Sequence, residues 1–267
     1  MSAAADAAPA SPSRSLGDRA FDLIVWGALA SLLVAGFHAA EIQKFGALVR
    51  GTGNMRELGG EFVRPDFTDW RVYVGNMWLT LQMALWGTFL AIVLALPLGL
   101  LAARNVTPAW VQQPVRRLLD VMRSVPDLVF GAIFVAAVGL GPFAGVMALA
   151  INTGGVLGKL FSEAVEAIDR APVEAIRATG AWPLQEIMWG VLPQVAPLWT
   201  SYALYRFESN ARSATVLSLI GAGGIGQVLF DSINSFAFAQ TSAIIIVIVV
   251  AVSGIDLLSQ LIRSRLL

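Results

Sequence analysis

The sequence predicts an all-α, polytopic membrane protein of about six transmembrane helices. Composition is the first reason. Of 267 residues, 57% are hydrophobic and 13% charged, about half the charged share of an ordinary soluble domain, and the mean hydropathy is +0.70. The second reason is that six apolar segments are each long enough to cross about 30 Å of hydrocarbon. The third is that the basic residues between those segments fall unevenly, as an oriented chain requires.

Residues 1–20 are rich in Ala, Ser and Pro, carry Arg14 and Arg19, and predict a disordered tail. The apolar run at about 21–40 outlasts the core of a signal peptide and shows no convincing cleavage site, so it reads as an uncleaved first span. Residues 41–72 read as an interfacial amphipathic segment, with Trp70, Tyr73 and Trp78 at its return to the headgroups. The remainder, 73–267, holds the other spans. They are expected at about 74–103, 119–140, 143–162, 194–214 and 237–262. The third and fourth are joined by a tight Gly139-Leu140-Gly141-Pro142 turn. Pro97 and Pro126 should kink or start helices.

Placing the amino terminus in the cytoplasm puts Arg14, Arg19, Arg104, Arg116, Arg117, Arg123, Lys159, Arg170, Arg177, Arg263 and Arg265 inside. Only Lys44, Arg50, Arg56, Arg64 and Arg71 fall outside, offset by Glu41, Glu57, Glu61, Asp66 and Asp69. Both termini and the charged segment around 164–193 are then cytoplasmic.

Several chemistries are excluded. There is no Cys and one His, His38, so disulfides, thiolate metal sites and multi-His centres cannot form. No convincing catalytic constellation and no phosphate-binding loop is present, so any ATP chemistry must belong to a partner. The lack of an internal repeat argues against an inverted-repeat carrier.

Between the fourth and fifth spans lies APVEAIRATGAWPLQEIMWGVLP, from Ala171 to Pro193. Pro172 suits the first helical position, Glu174 would then favour the dipole from the first turn, and Gly180 is a natural stop. Pro183 restarts a second helix and Pro193 limits it. The first helix, about Pro172–Thr179, would be roughly 12 Å long. That is a knob rather than a span, and it suits docking by a partner.

The fifth span carries Arg206, Glu208, Asn210 and Arg212. Ionisable groups at such depth usually face protein or a water-filled path. Glu208 and Arg212 are four apart in the favourable order and should pair. Arg206 and Asn210 share another face, and a cation there would suit an anionic solute. The following SLIGAGGIGQ places Gly221, Gly223, Gly224 and Gly226 together. It formally matches a dinucleotide fingerprint but lacks the strand context. A flexible or re-entrant turn at the outer end of the path is the better reading, with plain helix packing as the alternative. Gly154 and Gly158 read as a packing face. Trp182, Trp189 and Trp199 read as interface anchors. Asp120, Arg123 and Asp127 read as a structural charge cluster.

Glu174-Ala175, Gly180 and Leu192-Pro193 resemble the EAA loop of ABC importer permeases. That family's spacing is Glu-Ala-Ala, three residues, Gly, nine residues, Ile, one residue, Leu-Pro. Here Ile176 stands at the second Ala and Gly190 at the Ile. RSVPDLVFGAIFVAAVGLGPFAGVMALA, GVLGKLFSEAVEAID, YRFESNARSATVLSLIGAGGIG and ALPLGLLAARN look like the phosphonate-type permease, within the methionine-importer-like (MetI-like, type I) fold group. The likeness covers about residues 70–260.

The resemblance implies a homodimeric subunit of the bacterial inner membrane with no cofactor of its own. Its implied partners are a second permease copy, a cytoplasmic ABC ATPase dimer holding ATP and Mg, a periplasmic phosphonate-binding protein and membrane lipid; nucleic acid is not among them. Pro172, Glu174, Ala175, Gly180, Leu192 and Pro193 would couple this chain to the ATPase. Arg206, Glu208, Asn210, Arg212 and the four glycines would belong to the path or gate. Phosphonate is the implied solute, with phosphite, a phosphate ester or another small solute as alternatives. An ATPase-independent channel or carrier is the competing class.

Overall fold

The computed structural model describes residues 16–266, so residues 1–15 of the expected tail, Arg14 included, lie outside the described residues. Residues 16–20 were expected to be disordered and are instead the first turns of helix α1 (Leu16–Ala39). They carry Gly17, Asp18 and Arg19, so this first stretch of α1 is a polar extension of the apolar helix that follows and needs only its continuation to form.

The chain divides into two compact units, Met1–Gly59 and Gly60–Leu267. In the first, α1 is long and apolar enough to span and buries none of that length within the protein. A 3-10 turn at Ile42–Lys44, then α2 (Phe45–Arg50) and α3 (Thr52–Phe62) follow. Lys44 pairs with Glu41 at 2.6 Å.

The second unit is a helical bundle built on α4 (Trp70–Ala102) and α7 (Pro142–Glu166). They run parallel: a Cβ on Gly87 would meet the Leu149 side chain, and one on Gly99 would meet Phe161. Glycine and alanine along both helices let the backbones close, as membrane helices need when lipid gives no hydrophobic drive. Pro97 sits inside α4, which continues through it.

The third expected span is not one helix. α5 (Ala109–Ser124) and α6 (Asp127–Val138) meet at 89°. Val125 precedes Pro126 and takes the extended backbone, φ −86° and ψ 123°. Proline's ring disfavours the helical conformation in the residue before it, so the helix must break there. α6, at 12 residues, is about 18 Å long and cannot span alone. α5 lays Leu119 and Met122 against Gly158 and Gly155 of α7, and Asn152 Nδ2 donates to Val125 O at 2.8 Å, holding the break in place.

The expected turn between α6 and α7 is present, with Gly139 at φ 91° and Gly141 at φ 142°. Gly141 N–H donates to Gly221 O at 3.0 Å, tying it to the glycine-rich turn.

After α7 come α8 (Arg170–Ala178) and α9 (Pro183–Glu186). A wide π turn at Ile187–Val191 leads into α10 (Leu192–Leu217). Pro193 was expected to limit the second short helix. It is instead the second residue of α10, because the π turn before it absorbs the change of hydrogen-bond register that proline forces. α11 (Ile225–Asn234) and α12 (Phe238–Leu266) complete the bundle. Among the described residues four helices are long and apolar enough to be single spans, and the count reaches six if each of two bent pairs, α5/α6 and α10/α11, is one span.

Trp199 was expected at an interface. It is 5% exposed and stacks on Phe161 at 4.5 Å between centroids, because α10 closes on α7 where Val191 and Val195 fill the same cluster. Trp182 and Trp189 are exposed.

Candidate functional site

Two regions and the glycine-rich turn after α10 hold the residues singled out from sequence. One is the α8–α9 segment, the other the polar interior of α10. They lie on one path, since α9 runs through the π turn into α10.

α8 begins two residues before its expected start. Asp169 is the N-cap, and its carboxylate accepts from Ala171 N–H at 3.0 Å. Pro172 is therefore the third helical residue rather than the first, and its missing N–H still costs nothing, since the first four have no partner within the helix. Glu174 accordingly falls in the second turn, and Asp169 takes the role of dipole-facing acid. The helix ends as expected. Thr179 closes it, and Gly180 follows at φ 83°, where a side chain would be strained.

The segment is closed at both ends by side chains. Trp182 N–H donates to Gln185 Oε1 at 2.9 Å at the start of α9. Arg177 of α8 makes paired bonds to Glu186 of α9 at 2.8–3.1 Å. Those bonds first, and the Glu186 charge second, hold the Arg177 guanidinium above its ordinary pKa. Gln194 grips the root of α8: its Oε1 accepts from Asp169 N–H at 3.1 Å, and its Nε2 donates to Asp169 O at 3.2 Å and to Gly190 O at 2.6 Å.

The faces of α8 divide cleanly. Pro172, Glu174 and Ala175 are exposed, while Val173 and Ile176 turn inward. They pack on Gly190, where a Cβ would lie 3.1 Å from Val173 Cα and 3.5 Å from Ile176 Cδ1. Ile176 and Gly190 are the two positions that depart from the EAA spacing, and they face each other. A larger residue on α8 meets a smaller one on the π turn, which explains the departures as one exchange of volume. Leu192 is partly exposed and Pro193 opens α10 beside it. A cleft of about 590 Å³ lies between α8, α9 and the segment after α4, with Glu174, Arg170 and Asn105 on its walls.

In α10 the expected Glu208–Arg212 pair forms at 3.2 Å. Sequence spacing did not show its other half: Arg212 reaches Asp256 at 3.4 Å, and Arg263 reaches Glu208 at 3.4 Å, so the pair fastens α10 to α12. Asn210 is fully buried. Its Nδ2 donates to Thr88 Oγ1 at 2.8 Å, and its Oδ1 accepts from Thr153 Oγ1 at 2.8 Å. It thus joins α4, α7 and α10 through one amide. Arg206 donates from its NH2 group to Thr153 Oγ1 at 3.2 Å, and its Nε is buried without a hydrogen-bond partner. Asp120 pairs with Arg123 at 3.0 Å on α5, while Asp127 lies beyond the helix break and starts α6.

The glycine-rich turn is tightly packed. Gly221, Gly223 and Gly224 hold φ of 91°, 74° and 96°. A Cβ on Gly226 would run into the Thr215 carbonyl, and Thr80 Oγ1 accepts from Ile225 N–H at 2.9 Å. The glycines serve backbone approach, with α11 bent 50° from the helix before it.

Residues 95–266 match the family described as binding-protein-dependent transport system inner membrane component. The chain belongs to this family. It is 43% identical over 219 residues to the phosphite transport system permease protein PtxC of Stutzerimonas stutzeri, covering 82% of this chain and 80% of that one. It is 40% identical over 223 residues to the phosphate-import permease protein PhnE of Mycolicibacterium smegmatis, covering 83% of this chain and 42% of that one. It is 60% identical over 120 residues to the putative cryptic phosphonate transport system permease protein PhnE2 of Escherichia coli, covering 45% of this chain and 98% of that one. Among solved structures, the inward-facing MetNI methionine ABC transporter matches with a TM-score of 0.66 at 21% identity, over 76% of this chain and 99% of that one. The fold is therefore the MetI-like permease fold, and the chain is an inner membrane component of a transport system.

Glu166, Asp169, Gln194 and Thr88 were not singled out from sequence. Asp169 carried a signal, an Asp immediately before a helical run. The other three are defined by partners far away in the chain, which no local pattern encodes.

Proposed function

We propose that this permease is the membrane subunit of an ATP-driven importer of phosphonate or a related phosphorus oxyanion, and that α8 is its coupling helix. One observation supports the coupling role above others: α8 is a rod capped at both ends whose inner face packs and whose outer face offers Pro172, Glu174 and Ala175. A rigid element between two backbone turns moves as a lever rather than bending. On this reading a cytoplasmic ABC ATPase dimer, carrying ATP and Mg, grips α8 of each permease copy. A periplasmic binding protein delivers the solute, and both termini face the cytoplasm.

The solute class rests on the relatives, whose names give phosphite, phosphate and phosphonate. Arg206 suits such a solute, being a cation with a free buried donor inside the bundle. Phosphite deserves equal standing with phosphonate, because the phosphite permease aligns over four-fifths of both chains.

The test is uptake into vesicles holding permease, ATPase and binding protein. Labelled phosphonate should be taken up only with ATP, with phosphite and phosphate as competitors. Glu174→Arg and Gly180→Pro should each abolish uptake, and stimulation of ATP hydrolysis by loaded binding protein, while leaving the permease in the membrane. Uptake without the ATPase would point to a carrier or channel instead, and normal uptake in both variants would remove the coupling role.

A further inference from the structure

Glu166 is the last residue of α7, where a carboxylate faces the negative end of the helix dipole. It is held there by two arginines. Arg104 N–H donates to Oε1 at 2.7 Å, and the Arg104 guanidinium reaches Oε2 at 3.4 Å. Arg116 of α5 pairs with Oε1 and also donates from Nε to Ala102 O at 2.9 Å. Arg116 and Glu166 are 19% and 18% exposed, against 72% for Arg104. One largely covered carboxylate therefore fastens the end of α4, the middle of α5 and the end of α7. Asn105 Nδ2, donating to Val165 O at 2.7 Å, seals the same junction.

Only residues 167–169 separate Glu166 from α8. The root of α8 thus has two attachments. Gln194 fastens it to α10, and the short link to Glu166 fastens it to α4 and α5. A lever needs both, since a helix tied to α10 alone would move only that helix.

We propose that Glu166 is the positioning residue through which movement of α8 reaches α4 and α5. The proposal rests on the coupling role of α8. The carboxylate works by its charge: an amide in its place cannot neutralise Arg116 in that covered site, so α5 would loosen from α7 while the Gln194 attachment persisted.

The chain has no Cys, which permits clean spin labelling in the reconstituted complex of permease, ATPase and binding protein. Labels at Ala178→Cys on α8 and Arg117→Cys on α5 would report their separation with and without ATP. The expected result is a constant separation in the otherwise unchanged chain and an ATP-dependent shift in Glu166→Gln. The Glu166→Gln complex should assemble and keep stimulated ATP hydrolysis, while solute moved per ATP falls at least about tenfold. Glu166→Asp, which keeps the charge, should recover part of that loss. The proposal is overturned if Glu166→Gln matches the unchanged chain in solute per ATP. It is also overturned if uptake falls only in step with assembly, or if the separation shifts equally in both. An unchanged complex whose ATP hydrolysis ignores loaded binding protein would overturn the coupling role itself, and this proposal with it.

Discussion

Gly190→Ile places the EAA family's residue at a position where this chain has no side chain. The existing contact sets the size of the effect. A Cβ at position 190 would lie 3.1 Å from Val173 Cα, 3.2 Å from Val173 Cγ2 and 3.5 Å from Ile176 Cδ1, and isoleucine adds three more carbons. Overpacking of this kind costs about 1–3 kcal/mol, against roughly 0.5–1 kcal/mol returned by removing a helical glycine. The net expectation is a loss of about 1–2 kcal/mol. Ile176→Ala alone should lose about 1–2 kcal/mol, less than the full cost of a buried site because Ile176 is only half-buried. Together the two changes reinstate the family pattern and should cost less than their sum by about 1 kcal/mol or more. Rescue stays partial, since the approach to Val173 remains. The assay is a double-mutant cycle on reversible unfolding in mixed micelles, with binding-protein-stimulated ATP hydrolysis as a second readout. Effects that add within about 0.5 kcal/mol would refute the volume exchange.

Other outcomes follow from the same contacts. Asn210→Leu should destabilise the bundle by about 2 kcal/mol or more, because Thr88 and Thr153 lose their buried partner; the same unfolding titration measures it. Arg206→Ala should lower uptake while leaving unfolding within about 1 kcal/mol of the unchanged chain, and loss of assembly instead would assign Arg206 a structural role. Gly226→Ala should cost about 3 kcal/mol or fail to accumulate in membranes, since its Cβ would have to displace the Thr215 carbonyl, with Ser218 Cβ 2.9 Å away as well. Asp169→Ala should weaken the start of α8 by about 1 kcal/mol, seen as faster hydrogen exchange at the Ala171 amide.

The parts of the fold legible in sequence are those set by local chemistry. Gly180 announces its left-handed turn, Pro126 announces a break, and the four-residue spacing of Glu208 and Arg212 announces their pair. The break at Pro126 was legible as a kink but its angle was not, because α5 and α6 turn through 89° to bury different faces, and the partners for those faces lie elsewhere in the chain. Trp199 fails for the same reason: tryptophan suits an interface by type, yet Phe161 and the side chains clustered with it supply a better surface. Pro193 misleads because a π turn can carry a helix through a proline, and that turn is stabilised by the distant contact of Gly190 with Val173.

By itself the sequence determined that the chain enters a membrane, roughly where it crosses, and that a short charged rod interrupts the crossings. Those properties follow from hydropathy, helix-ending residues and charge placement, all of which act within a few turns of helix. Tertiary structure alone decided what the polar residues do. It made Asn210 the join between three helices, gave Glu208 a second partner in Arg263, and brought Glu166 between Arg104 and Arg116. In a medium of low polarity a buried polar group must find a partner, and which partner it finds depends on how helices distant in sequence come to lie side by side.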